Sequence, residues 1–187
     1  MEFNDQLNNL SREVSPKLFI ITSPLYSAPE GFAETFADQV DAQLIEADKV
    51  KSDFSDVMTQ TLDSLESGND TFYNRHLYKD TQRRELIHRT KVGGFSLVAL
   101  DIQTPYRILR ERVNAEIQRN RSLGLPARRS KLEFDQKKSY GQSVKPLISE
   151  GLDKIVVFSG AFDADRVVLN ASRALISQGI QLSPSRR

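Results

Sequence analysis

Apolar residues fall into five short runs separated by longer amphipathic stretches. The runs KLFIIT (17–22), AQLIEA (42–47), TFYN (71–74), FSLVALD (95–101) and KIVVF (154–158) predict strands. The stronger ones lack polar alternation, the pattern of strands buried on both faces. Between them the 3.6-residue period predicts helices over Gly31–Asp41, Phe54–Leu65, Thr81–Val92, Thr104–Arg121 and Asp163–Ser177. Strands alternating with helices predict an α/β fold, a parallel five-stranded sheet flanked by helices. Residues 122–145 break the rhythm, being polar, rich in Arg and Lys and without a strand pattern, and are read as an inserted helical lid. Residues 1–16 read as a polar N-terminal arm ending at Pro16, residues 17–180 as one domain and residues 181–187 as a tail.

Composition narrows the classes. A chain of 187 residues suits one domain with a sizeable core. Lys+Arg 26 against Asp+Glu 25 leaves a formal charge of +1, so any nucleic-acid or membrane partner must be met by a local patch. With no cysteine, and with His76 and His88 lacking a ligand spacing, no metal site is expected. The N-terminus lacks the basic-then-apolar order of a signal peptide, and no apolar run approaches a membrane span. The expectation is a cytoplasmic protein without a membrane partner.

The candidate chemistry lies in KLFIITSPLYSAPEGFAETFADQV, Lys17–Val40, where a strand enters a loop and then a helix. In GxxxxGK(S/T) the glycines let backbone amides wrap phosphates, the lysine neutralises charge and the hydroxyl binds magnesium. Laid directly after the first strand, those four places fall on Ser23, Ala28, Pro29 and Glu30, and none matches. Pro29 removes an amide donor and a cation together, and Glu30 sets a carboxylate near a polyanion. The same residues form a capping-box pattern: Ser27 is followed three residues later by Glu30, with a proline inside the first turn. That reading predicts a helix capped by Ser27, no cavity large enough for a triphosphate, and restored binding in the combined Ala28→Gly, Pro29→Lys, Glu30→Ser variant.

The segment LFIITSPLYSAPEGFAETFADQVDAQLIEADKVK resembles the opening of small P-loop kinases of the polynucleotide-kinase and zeta-toxin type. DTQRRELIHRTKVGGFSLVALDIQTPYRILRERV is similar to that family's succession of Arg-rich helix, strand, TP turn and Arg-bearing lid helix. The likeness spans roughly residues 17–160 and implies a three-layer P-loop NTPase-like fold. It matches Asp48 to the base that acts on the acceptor hydroxyl and Lys51 to a residue holding the acceptor phosphate. Lys49 replaces a second acid. Arg83 and Arg84 match a substrate-binding pair, and Arg112, Arg119 and Arg121 match lid arginines that stabilise the transferred phosphoryl group. The run NRHLYKD (74–80) lacks the DxTN pattern usual at the end of the third strand, which weighs against a magnesium site.

Charge is segregated toward the lid. From Arg107 to Lys145 eleven Lys/Arg, Arg128 and Arg129 among them, face four acids, a local net of +7. These cations either face phosphate or pair along helix surfaces with Glu111, Glu116 and Glu133. The expected function is therefore a degenerate P-loop kinase, a pseudokinase that binds a nucleotide, nucleic acid or protein partner, or a second copy of itself. The alternatives are an active nucleotide or polynucleotide kinase with an unconventional loop, and a structural component of a larger, for example viral, assembly. ATP and magnesium are expected only if transfer survives.

Overall fold

The computed structural model describes residues 15–23, 26–46, 53–74, 80–124 and 154–182. The N-terminal arm to residue 14, residues 125–145 of the expected lid and the tail beyond residue 182 lie outside them.

Five strands alternate with five helices among the described residues: β1 (Lys17–Ile21), α1 (Phe32–Val40), β2 (Gln43–Glu46), α2 (Phe54–Glu66), β3 (Thr71–Asn74), α3 (Asp80–Val92), β4 (Ser96–Gln103), α4 (Tyr106–Ser122), β5 (Lys154–Phe158) and α5 (Ala164–Ser177). All strand pairs are parallel, in the order β2-β3-β1-β4-β5. Every expected strand, and every helix expected outside the lid, is present, with ends shifted by a few residues.

The central strand explains the unbroken apolar runs. Phe19 and Ile21 of β1 join one core with α1 and α5, whereas Leu18 and Ile20 join a second core with α2 and α3. Both faces of β1 are dry, so alternation is lost. The edge strands differ. In β5, Ile155 and Val157 are buried, but Val156 and Phe158 are 52% and 55% exposed, so the expectation of burial on both faces fails at this edge. On the α1 side the core is aromatic: Phe36 stacks on Phe32 with ring centroids 5.5 Å apart and meets Phe19 and Phe72 edge-on. Offset and edge-to-face pairs of this kind add to simple area burial.

At the opposite end of the sheet from the loop, β1 and β3 are pinned by charge. The backbone N–H of Lys17 donates to Asp70 Oδ1 at 2.8 Å, and Lys17 Nζ lies 3.4 Å from Oδ2. Both residues are buried. Removing one partner of such a pair strands the other in a low dielectric. Asp70→Ala should therefore lower the unfolding free energy in urea by about 3–5 kcal/mol. Asp70→Asn keeps an acceptor for the Lys17 amide and should cost less; equal losses would show that the acceptor contributes nothing and the charge accounts for the whole effect.

Candidate functional site

The loop between β1 and α1 is fixed by distant elements rather than by its own residues. Beyond β1 the Thr22 amide still bonds Leu100 of β4 at 2.9 Å. Ser23, the expected first loop position, is buried and its hydroxyl accepts from the Ile102 amide at 2.8 Å. It is a strut between loop and sheet. Thr104, in the TP turn before α4, donates its hydroxyl to the Ser27 carbonyl at 2.7 Å.

Arg112 completes the fastening. From α4 its guanidinium donates to the carbonyls of Tyr26, at 3.0 Å, and Ser27. It also reaches Ser159 Oγ at 3.1 Å and the Gly160 carbonyl at 3.2 Å, just after β5. Burial pulls its pKa below the ordinary arginine value, the sign of a cation deprived of water. Four hydrogen bonds to fixed acceptors offset that loss, and the planar fork suits a site where three chain segments converge.

The expected Ser27 cap is not formed. The N-cap of α1 is Gly31, with φ 79° and no side-chain cap, and the helix starts at Phe32. Ser27 lies too far upstream to reach the second or third helical amide. Its carbonyl is held by Arg112 and Thr104, while its buried hydroxyl meets no partner among the described residues. Glu30 does not turn back toward Ser27, because its carboxylate accepts from Arg119 at 2.7 Å. By contrast α5 is capped locally: the Asp163 side chain accepts from the Arg166 amide at 3.0 Å.

The observed helix start also moves the motif register. Tyr26, φ 64°, and Gly31 both have left-handed backbone, and they are separated by the spacing of the two glycines in GxxxxGK. A tyrosine in that region is uncommon and strained. In this register the lysine and hydroxyl places fall on Phe32 and Ala33, not on Pro29 and Glu30. Phe32 is fully buried in the aromatic core and Ala33 is buried beside it.

A cavity of about 500 Å³ opens at this loop, contrary to the expectation of none large enough for a ligand of that size. It sits at the carboxyl ends of β1, β2 and β3, where open parallel sheets bind ligands. Apolar surface comes from Ile21, Ala28, Pro29, Phe32, Ala33 and Ala115, with Tyr26 beside them. The charged lining is Glu30, Glu34, Glu46 and Glu116 against Arg112 and Arg119, and Asn74 of β3 adds an amide. Among the described residues, four lining carboxylates stand against two guanidinium groups, both of which bind protein acceptors. The hydrogen bond to Glu30, together with the charges of Glu116 and Glu30, holds the Arg119 pKa above the ordinary arginine value. The donors of a phosphate-loop magnesium site are missing among the described residues: alanine stands at the hydroxyl place and asparagine at the end of β3. Among the described residues no group of three or more acidic or histidine side chains is arranged to hold a metal ion, and no helix is long and apolar enough to cross a membrane.

Of the residues singled out by sequence, the fold brings Ala28, Pro29, Glu30, Arg112 and Arg119 to one cavity. Arg83 is buried on α3, and Arg84 and Arg121 are exposed; none of the three lines it. Asp48, Lys49, Lys51, His76, Arg128 and Arg129 lie outside the described residues. Tyr26, Glu34, Glu46 and Asn74 were missed, and Glu116 was singled out only as a helix-surface partner of the arginines. For Glu46 and Asn74 a signal existed, since each is the polar residue ending an apolar strand run, LIE and FYN. Along α4, Arg107 pairs with Glu111 at 3.4 Å and Arg119 with Glu116 at 3.6 Å, the helix-surface pairing expected as the alternative to a phosphate-facing patch.

Neither a protein-family model nor a curated protein matches the chain. Among solved structures it is similar to one described as a "putative kinase" from Chloroflexus aurantiacus, with TM-score 0.56 and 14% identity over 87% of this chain and 97% of the other. It also resembles the YorR protein of Bacillus subtilis, solved in complex with phosphorylated GDP, with TM-score 0.48 and 11% identity over 87% of this chain and 95% of the other. The sheet order and the first of these likenesses give the fold class, a three-layer α/β P-loop NTPase-like fold.

Arg112→Ala removes the four hydrogen bonds that tie the loop to the turn after β5 and should cost roughly 3 kcal/mol of stability, read by denaturant unfolding. Amide exchange over 26–31 should accelerate in the same variant. Arg112→Lys, a point charge without the fork, should recover less than half of the loss. Unchanged exchange in the alanine variant would show that the loop is held by other contacts.

Proposed function

We propose that this protein is a kinase-like binding module that holds a nucleoside or nucleotide in the cavity at the carboxyl edge of its sheet and does not transfer a phosphoryl group. The fold supports a nucleotide site at this edge, because ligands of open α/β sheets bind beyond the carboxyl ends of the strands. The observation that carries the loss of transfer is the pair Phe32 and Ala33, which follows the left-handed Gly31 where a phosphate loop needs a lysine and a hydroxyl.

Phe32 makes the loss hard to reverse. Its ring stacks on Phe36 and meets Phe72 edge-on, so a lysine there would empty part of the core as well as bury a charge. The missing cation alone deprives a triphosphate of a charge-assisted hydrogen bond worth about 1.5–3 kcal/mol, roughly 10- to 150-fold in affinity. Support for a nucleic-acid partner is weaker, because Arg107, Arg112 and Arg119 of the basic region all have acceptors within the chain.

Calorimetric titration with adenosine, guanosine, their monophosphates and Mg-ATP tests the reading. A nucleoside or monophosphate should bind with an affinity insensitive to magnesium, and no ADP or phosphorylated acceptor should form from ATP. Magnesium-dependent transfer to any hydroxyl acceptor would replace this reading with the active-kinase one. Phe32→Lys should destabilise the fold by about 3–5 kcal/mol, the range for losing a buried aromatic side chain, instead of conferring ATP binding.

A further inference from the structure

We infer that Glu30 and Arg119 form a charge filter at the mouth of the cavity, with Glu30 a tethered anion that occupies Arg119 and turns polyphosphates away. This deepens the proposed ligand reading, since it limits the ligand to a nucleoside or a monophosphate. The geometry is directional: Arg119 Nη1 donates to Glu30 Oε1 at 2.7 Å, joining the loop before α1 to the far end of α4. Both residues line the cavity. Glu116 lies 3.6 Å from Arg119 Nε, so carboxylates engage the guanidinium from two sides.

A guanidinium takes carboxylate and phosphate oxygens by the same fork of donors, so an incoming phosphate competes with Glu30 for one group. The competition is unequal in charge. A ligand with one phosphate can displace Glu30 and meet one cation, whereas a polyphosphate must also place further negative charge near Glu34 and Glu116, which line the same cavity. Arg112, the second cation of the lining, is fastened to backbone carbonyls and cannot turn to the ligand without releasing the loop. The pair itself is exposed, with side chains 87% and 54% accessible for Glu30 and Arg119, so it opens readily and its substitution leaves the core untouched.

The test titrates tripolyphosphate, which carries no nucleoside, into the wild type and the Glu30→Gln, Arg119→Gln and double variants at about 50 mM salt without magnesium. Glu30→Gln should strengthen tripolyphosphate binding roughly 3- to 10-fold, an effect of surface electrostatics that shrinks at about 500 mM salt. In the double variant the gain should vanish. An unchanged affinity in Glu30→Gln, or a gain that survives without Arg119, overturns the filter. Melting temperatures of the variants should match the wild type, and a drop in any of them would mark the pair as a structural clamp and overturn the filter. Adenosine and guanosine titrated into the wild type form a separate arm: failure of both with the tripolyphosphate gain intact removes the nucleoside reading and leaves the filter standing.

Discussion

The carboxyl edge of the sheet depends on where one guanidinium places its hydrogen bonds. Arg112 leaves α4 and meets Tyr26, Ser27, Ser159 and Gly160, so the loop after β1, the helix after β4 and the turn after β5 share one charged centre. Drawing a cation out of water is unfavourable, as its lowered pKa records, and is tolerable only because fixed acceptors surround the fork. The result is a loop whose shape is set before any ligand arrives. Such a loop can present a cavity without glycines to wrap a phosphate, because its path is imposed from outside.

That path has a consequence for chemistry. With the chain turned left-handed at Tyr26 and Gly31, α1 begins directly on Phe32, and the first helical side chains pack in the aromatic core, offering the cavity only apolar surface. In a phosphate loop the corresponding side chains serve the ligand; here they serve packing. The two demands exclude each other, since a side chain stacked on Phe36 cannot also reach a phosphate. Stability and phosphate binding thus compete for the same turn of helix, and packing has won. Among the described residues, the cavity's polar groups sit on strand ends, on α1, on α4 and on the loop itself.

The buried ion pair at the other end of the sheet does different work. Lys17 and Asp70 fix the start of β1 against the approach to β3, so the central strand is anchored by charge at one end and by the Arg112 network at the other. Between these anchors β1 offers apolar side chains to both cores. A strand held in this way gives the loop beyond it a fixed point of departure.

The sequence by itself determined the order and type of the elements. Runs such as KLFII and FSLVAL and the apolar stripe of α1 at Phe32, Phe36 and Val40 are local periodic signals, and a local signal survives in any context that buries it. The Asp163 cap of α5 is local in the same way, donor and acceptor being three residues apart. Ser27 and Glu30 carried an equally good local pattern and did something else. Only the tertiary structure brought Arg112, Thr104 and Arg119 within reach of them, across 77 to 89 residues: the Ser27 carbonyl and the Glu30 carboxylate are taken by these partners, and the helix starts at Phe32, too far on for the Ser27 hydroxyl to cap. The exposed face of β5 was likewise settled by strand order, since a run of apolar residues does not say whether its strand is central or at an edge. Glu46 and Asn74 became site residues for the same physical reason: three strand ends converge on one cavity only when the sheet is assembled.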